Sequence, residues 1–291
     1  MENIIQDIDI VDRNSPEATD TVKTILEDNT GKAKKLYIES YGCQMNFADS
    51  EIVSSIMKDN GYDTTSDFAN ADVIFLNTCS IREKAEQTVR TRLRQFNKIK
   101  RDKPEMTIGV LGCMAQNLKK ELLESQPFID VLVGPDGYRQ LPNLLTKAME
   151  TQTRGLSVDL SEYEIYEQIL PERVGGVNAW IAVMRGCDNF CTFCVVPYTR
   201  GRERSRDPKG ILEEAQGLAE RGYKQITLLG QNVNSFQFEQ YDFAQLVTAV
   251  ADIPGIERVR FMSPHPKDFP PALLDVVAQH PHVASQIHLP L

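Results

Sequence analysis

The sequence has 291 residues, of which 41% are hydrophobic and 25% are charged, and its formal net charge is -9. A chain of this length and composition can bury substantial cores and most simply forms two domains. It contains no run of about eighteen apolar residues that would predict a membrane span, and its first residues lack the basic start and apolar stretch of a secretory signal. We therefore expect a cytoplasmic protein whose cysteines stay reduced.

The acidic charge is concentrated at the N-terminus. Residues 1 to 30 hold eight Asp or Glu residues against Arg13 and Lys23, a local charge of -6 that leaves -3 for the remainder. A polar, acidic segment with weak periodicity is typical of disorder. We predict a disordered, solubilising tail over residues 1 to 33.

Residues 34 to 150 alternate between short apolar runs and helical patterns. Four runs bounded by turn residues have the character of buried parallel strands, and they cover residues 36–38, 73–76, 108–111 and 131–133. Apolar residues recur at helical spacing from Asp49 and again from Val89 to Ile99. This alternation predicts an α/β domain with a doubly wound parallel sheet.

A linker is predicted over residues 151 to 177, and strand and helix patterns resume over residues 178 to 291. Strands are predicted at 180–184, 225–229, 259–261 and 286–289, and helices at 207–221, 243–251 and 272–279. Repeated βα units predict a partial βα barrel with active loops at the carboxyl ends of its strands. Complete barrels need roughly 200 residues or more, so we expect this barrel to be truncated.

Three cysteines lie close together in the sequence, with gaps of three and two residues: Cys187, Cys191 and Cys194. This spacing brings three thiolates onto one loop and suits a 4Fe-4S cluster held at three corners. Such a cluster normally has four protein ligands, so one iron would stay open. A zinc site is the alternative, but it would need a fourth ligand nearby, and the next histidine is His265.

The other three cysteines are spread through the first domain, each just past the carboxyl end of a predicted strand: Cys43, Cys79 and Cys113. The carboxyl ends of parallel strands line one edge of a sheet, so these thiols can converge on a second cluster. The alternative is three buried structural cysteines.

The cysteine spacing of the loop, with Phe193 before its last cysteine, resembles that of the radical S-adenosylmethionine (SAM) enzymes. Further phrases are similar to the methylthiotransferases of that superfamily, and to their branch that makes 2-methylthio-N6-isopentenyladenosine in tRNA. The matching phrases are SYGCQMN (40–46), NTCSIREKA (77–85), GCMAQ (112–116) and CVVPYTRG (194–201).

The resemblance implies two 4Fe-4S clusters and SAM as cofactors. It implies an auxiliary cluster on Cys43, Cys79 and Cys113, and a second cluster that cleaves SAM to a 5'-deoxyadenosyl radical. The substrate would be C2 of N6-isopentenyladenosine, at position 37 beside the anticodon. Implied partners are that tRNA, an electron donor such as flavodoxin or ferredoxin, and a sulfur source. The family's later barrel strands and C-terminal RNA-binding TRAM domain have no counterpart in this sequence.

Two alternatives stay open, namely a methylthiotransferase acting on an aspartate of a ribosomal protein and a non-catalytic iron-sulfur electron carrier. The turn at residues 230–235 resembles, by position, a region that touches SAM, which makes Gln231 and Asn232 candidate contacts together with Phe193. A polar turn of this kind is also compatible with a simple connection.

Two basic segments bear on RNA binding. Residues 82 to 103 hold nine Lys or Arg residues against three acids, and four arginines alternate after the cysteine loop at Arg200, Arg202, Arg204 and Arg206. Clustered positive charge is typical of phosphate contacts, although the outer face of a helix can be basic for solubility alone. We predict anion binding for the arginines and leave both explanations open for the helix.

Overall fold

The computed structural model describes residues 8–10, 33–80, 83–173 and 175–289. Its contacts divide the chain into two compact units, Met1–Leu160 and Ser161–Leu291. Within the described residues, no helix is both long and apolar enough to cross a lipid bilayer.

The first unit contains a seven-stranded sheet in which every neighbouring pair is parallel. Its strands lie in the order β3-β2-β4-β5-β6-β7-β1. They are β1 (Ile8–Ile10), β2 (Lys34–Tyr41), β3 (Tyr62–Thr64), β4 (Val73–Thr78), β5 (Thr107–Leu111), β6 (Val131–Val133) and β7 (Arg154–Ser157). All residues of β4 and β5 are buried, because the central strands of a parallel sheet are covered on both faces.

Within the described residues, five α-helices connect these strands. They are α1 (Gln44–Asp59), α2 (Glu83–Asp102), α3 (Cys113–Asn117), α4 (Lys119–Ser125) and α5 (Leu141–Thr151). The chain passes from β2 to β3 on one side and from β4 to β5 on the other. The sheet is therefore doubly wound, as predicted, and its switch point lies between the carboxyl ends of β2 and β4, where such folds bind ligands.

Helix α1 begins at Gln44, five residues before the predicted start at Asp49. Its first turns bury polar residues, among them Asn46, Asp49 and Ser50. Because these positions carry no apolar signal, periodicity marked only the later part of the helix.

The N-terminal and linker predictions differ from the structure in part. Most of residues 1 to 33 lies outside the described residues, but Ile8–Ile10 form β1, which pairs with the exposed edge of β7. The predicted linker contains β7, which pairs with β6, so the first unit extends to Leu160. The segment that forms β7 has the sequence RGLS, which is too short and too polar to signal a strand without its pairing partner.

The second unit contains three adjacent parallel strands, each followed by a helix, and confirms the predicted partial βα barrel. The strands lie in the order β8-β11-β14. They are β8 (Asn178–Ala182), β11 (Gln225–Leu229) and β14 (Arg258–Met262), with helices α7 (Pro208–Glu220), α8 (Phe243–Ala251) and α9 (Pro271–Gln279). The strand predicted at 286–289 is reduced to a single bridge between Met262 and His288.

Shorter elements complete the second unit. They are β9 (Met184–Arg185), α6 (Val196–Arg200), β10 (Arg204–Ser205), β12 (Gln237–Phe238) and β13 (Tyr241–Asp242). Strands β9 and β10 pair antiparallel. The cysteine loop connects these two strands, so the pairing holds the two ends of the loop together.

A buried carboxylate joins two arginines in this unit. Arg173 donates to Oε1 of Glu214 at 2.8 Å and to the backbone oxygen of Trp180 at 2.6 Å. Arg206 donates to Oε2 of Glu214 and to the backbone oxygen of Ala182, each at 2.9 Å. The side chains of Arg173 and Glu214 are each only 4% exposed. The segment before β8 is thereby fastened to the first strand and helix of the barrel.

Replacing Glu214 by Ala leaves two buried guanidinium groups without their shared carboxylate. We expect the free energy of unfolding of the second unit to fall by about 3–5 kcal/mol, since removing one partner of a buried ion pair leaves uncompensated charge. Urea denaturation followed by circular dichroism measures this decrease.

The neighbouring Glu213 is the matched control for this variant. Its carboxylate is 70% exposed and lies 3.9 Å from Lys209, so Glu213→Ala should change stability by no more than about 0.5 kcal/mol. Equal decreases in the two variants would contradict the role given to Glu214.

Candidate iron-sulfur sites

The three scattered cysteines lie at the carboxyl ends of three adjacent strands. Cys43 lies two residues beyond β2, Cys79 directly follows β4, and Cys113 opens α3 two residues beyond β5. These strands are neighbours in the sheet, with Tyr41 opposite Thr78 and Asn77 opposite Leu111. The order of the strands therefore brings Cys43, Cys79 and Cys113 to one edge, beside the switch point.

The loops that carry these cysteines pack directly against one another. The backbone N–H of Cys79 donates to the backbone oxygen of Tyr41 at 3.1 Å. A Cβ at Gly42 would lie 2.4 Å from Cys79 Cβ, and one at Gly112 would lie 2.3 Å from Oδ1 of Asn77. Both glycines also have positive φ, +117° and +84°. Only glycine fits at these two positions, because both the space and the backbone conformation exclude a side chain.

Hydrogen bonds tie the loops after Cys79 and Cys113 together. Nδ2 of Asn117 donates to Oγ of Ser80 at 2.7 Å, and Ser80 Oγ donates to a carboxylate oxygen of Glu86 at 3.3 Å. Cys79 and Cys113 are 2% and 3% exposed, and Cys43 is half-buried. The site is thus a fixed, largely desolvated edge.

Sequence reasoning missed Asn46 and Asn77, two fully buried asparagines beneath this site. A signal for them exists: Asn77 interrupts the apolar end of β4, and Asn46 occupies an inward position on α1. Buried amides must be hydrogen-bonded, so polar residues at such positions indicate a network.

The second set of cysteines lies on the loop between β9 and β10. The backbone N–H of Cys187 donates to the backbone oxygen of Gly201 at 3.2 Å. The backbone N–H of Cys194 donates to the backbone oxygen of Cys191 at 2.9 Å. Gly186, at φ +78°, precedes the loop, and a Cβ there would lie 1.9 Å from the backbone oxygen of Arg202. The two ends of the loop therefore meet closely, and the three cysteines lie on one short turn.

Burial raises the pKa of the Cys187 thiol, and the nearby carboxylate of Glu203 raises it further. Burial also raises the pKa of Glu203, while Oγ of Ser235, which donates to it at 2.6 Å, lowers it. A metal held by Cys187 would need the thiolate, so binding it would release a proton.

The turn that follows β11 is joined to the cysteine loop by Asp268. Nδ2 of Asn232 donates to Oδ2 of Asp268 at 2.9 Å, and Nδ2 of Asn189 donates to the same oxygen at 3.3 Å. Asn232 is 2% exposed. Its Oδ1 and both amide atoms of Gln231 are buried without a hydrogen-bond partner among the described residues. Unpaired, buried polar atoms in this turn fit a polar ligand there.

The two phenylalanines of the cysteine loop differ in their surroundings. Phe193 is 91% exposed, and its predicted contact with SAM stays a prediction. Phe190 packs edge-on against Tyr198, with 6.1 Å between ring centroids.

The alternating arginines are mostly buried, which differs from their predicted role in binding an external anion. Arg200, Arg204 and Arg206 are 3%, 8% and 9% exposed. Arg204 donates to the backbone oxygens of Arg200 and Ser161, and Arg206 belongs to the ion pair with the carboxylate on α7. Arg202 is the exposed member of the run. Three of the four arginines are thus buried, and the guanidinium groups of Arg204 and Arg206 bond to internal partners.

Neither cysteine set, as the structure describes it, forms a site for a single metal ion. Among the described residues, no three His, Cys, Asp or Glu side chains form a group that could hold a metal ion. A four-iron cluster binds each cysteine at a different iron, so its ligands line a cavity and do not meet at one point. Binding of four-iron clusters by the two sets of three thiols therefore stays a prediction.

Comparisons with known proteins match both units. Residues 35–134 match the model described as Uncharacterized protein family UPF0004, and residues 181–291 match the Radical SAM superfamily. A tRNA-2-methylthio-N(6)-dimethylallyladenosine synthase of Amoebophilus asiaticus is 47% identical over 97% of this chain and 62% of its own length. The synthase of the same name from Bacteroides fragilis is 48% identical over 89% of this chain and 58% of its own. The chain thus spans about three fifths of these relatives.

Solved structures show the same fold. Two structures of the radical SAM methyltransferase TsrM from Kitasatospora setae have TM-scores of 0.60 and 0.62 at 14% and 13% identity. Each covers 88–89% of this chain, which covers 59% of theirs. One holds tryptophan and a SAM analogue, the other cobalamin and a [4Fe-4S] cluster. The chain thus joins a UPF0004 region to a Radical SAM region and is similar over most of its length to these tRNA-2-methylthio-N(6)-dimethylallyladenosine synthases.

Proposed function

We propose that this chain carries the two cluster sites of a tRNA methylthiotransferase that adds a methylthio group to C2 of N6-isopentenyladenosine at position 37. The observation that carries the proposal is the pairing of two three-cysteine sets, one on the sheet edge and one on the β9–β10 loop. The names of the relatives support tRNA as the substrate over the ribosomal-protein alternative. Their assignment as synthases supports an enzyme over an electron carrier.

The chain's own residues would divide the work between two sites. Cys187, Cys191 and Cys194 would hold the cluster that, when bound, supplies the electron for cleaving SAM to a 5'-deoxyadenosyl radical. Gln231 and Asn232 would orient SAM through their buried, unpaired amide atoms.

Cys43, Cys79 and Cys113 would hold the auxiliary cluster, whose open iron suits the sulfur to be transferred. The loops around these cysteines are largely buried and approach closely at Gly42 and Gly112, so they would keep water away from the open iron. An electron donor such as flavodoxin or ferredoxin and a sulfur source complete the proposed cytoplasmic partners.

Helix α2 offers a surface for the RNA. Four basic side chains on α2 form no ion pair with any described residue, and we call them the basic stripe: Lys84, Arg94, Lys98 and Arg101. They are exposed, and their spacings of ten, four and three residues place them on one side of the helix.

The other basic residues of α2 have acidic partners. Arg90 pairs with Glu121 at 2.6 Å, and Arg92 and Lys100 also form ion pairs. An uncompensated stripe of positive charge in a protein of net charge -9 is suited to phosphate groups. The stripe begins within a few residues of Cys79, so RNA lying along it would reach the auxiliary site.

The function is tested by anaerobic reconstitution with iron and sulfide, followed by dithionite, SAM and isopentenylated tRNA. We expect release of 5'-deoxyadenosine and a methylthio mark on the tRNA, both detected by mass spectrometry. Replacing the Cys187 set by Ala should abolish both products and remove about half of the iron, since it removes one of two four-iron sites.

The Cys43 set provides the matched control. Its replacement by Ala should also remove about half of the iron and abolish the methylthio mark, yet 5'-deoxyadenosine should still form. Clusters without any cleavage of SAM would favour the electron carrier, and a mark on the ribosomal protein alone would favour the other methylthiotransferase.

The basic stripe predicts a specific salt dependence of RNA binding. Arg94→Gln with Lys98→Gln should weaken binding of an anticodon stem-loop RNA, measured by fluorescence anisotropy. The plot of log K against log salt should become shallower by about one for each phosphate group that the variant no longer neutralises.

The control for that experiment is Lys119→Gln with Lys120→Gln on α4, which removes the same charge from exposed positions of the same unit. It should leave the slope nearly unchanged. If both pairs weaken binding equally, the stripe is not a contact surface and only net charge matters.

A further inference from the structure

Asn46 lies between the loops of all three cysteines on the sheet edge. Its Oδ1 is 3.2 Å from Sγ of Cys43, which donates to it, and 3.4 Å from where a Cβ of Gly42 would lie. Its Nδ2 is 3.3 Å from Oδ1 of Asn77 and also 3.3 Å from where a Cβ of Gly112 would lie. One fully buried amide therefore bonds to Cys43 and Asn77 and lies next to the turns at Gly42 and Gly112.

The orientation of this amide is fixed by Asn77. Nδ2 of Asn77 donates to the backbone oxygen of Asn46 at 2.9 Å and to Oγ of Ser50 at 3.0 Å. Ser50 Oγ also accepts from Ser40 at 2.6 Å. A backbone carbonyl cannot donate, so the side chain of Asn77 cannot turn without placing two acceptors together. Its Oδ1 thus stays directed at Asn46.

The same reasoning then fixes Asn46. Its Nδ2 must face the acceptor Oδ1 of Asn77, so its own Oδ1 faces Cys43 Sγ. Turning the amide would bring two oxygens to about the present 3.3 Å separation inside a buried site. The network therefore holds the negative end of a carbonyl dipole against one cysteine sulfur.

We propose that Asn46 is a positioning residue that lowers the reduction potential of the cluster held by Cys43, Cys79 and Cys113, with Asn77 as the residue that locks it. This inference rests on the proposed auxiliary cluster. A one-electron reduction adds negative charge to the cluster and its sulfurs. An oxygen dipole held beside a ligand sulfur disfavours that added charge, whereas an N–H donor would favour it. A low potential at this site leaves the electron for the Cys187 site, where SAM is to be cleaved.

The test uses the full chain with Cys187, Cys191 and Cys194 replaced by Ala, so that only the edge cluster contributes a signal. The midpoint potential of its one-electron reduction is measured by dithionite titration with detection by electron paramagnetic resonance. Asn46→Ala should raise the potential by about 59 mV, a tenfold change in the equilibrium constant for one electron.

Asn77→Ala is the second variant. It removes the acceptor that holds the amide, so Asn46 can turn its N–H toward the sulfur, and the potential should again rise. The matched control is Asn60→Ala at the far end of α1, where Nδ2 donates to the backbone oxygen of Ile56. It should leave the potential unchanged.

An unchanged or lower potential in Asn46→Ala, with the cluster retained, would overturn the inference. Loss of iron from both the Asn46 and Asn77 variants would also overturn it, because it would show a purely structural role. A parent chain without any four-iron signal would instead refute the proposed auxiliary cluster, and the inference with it.

Discussion

The close approach of backbone at the carboxyl ends of β2, β4 and β5 is the constraint on which the first unit depends. Gly42 and Gly112 leave room for the neighbouring loops, and the N–H of Cys79 bonds to the end of β2. With side chains at these glycines, the strand ends would separate and the three thiols with them. The strand order determines which loops are neighbours, and the two glycines determine how closely those loops approach one another.

Much of this arrangement could be predicted from the sequence. Parallel strands with continuous apolar runs are recognised because both faces of the sheet are covered, and cysteines placed just beyond such runs must lie at one edge. The strands β3 and β7 escaped prediction because they are short and partly polar, and only pairing with a neighbour makes them strands. Polarity at Asn46 and Asn77 carried a signal that periodicity does not register.

The arginines show a feature that the sequence did not predict, namely the direction of their side chains. Charge along a sequence states how many positive groups exist, but it does not state where they point. Arg204 and Arg206 turn inward and bond to carbonyls and a carboxylate, whereas the basic stripe on α2 has no acidic partner among the described residues. The same residue type therefore stabilises the barrel in one segment and lies exposed, without an acidic partner among the described residues, in another.

The two cysteine sets also differ in how far apart their members lie along the chain. Cys187, Cys191 and Cys194 belong to one loop, so they become neighbours as soon as the ends of this loop meet. Cys43, Cys79 and Cys113 come from three strands and become neighbours only after the sheet has formed, since contacts between distant residues depend on prior chain closure. Under the proposed function, the edge site would therefore load iron only on an already folded first unit, whereas the loop site would not depend on that sheet.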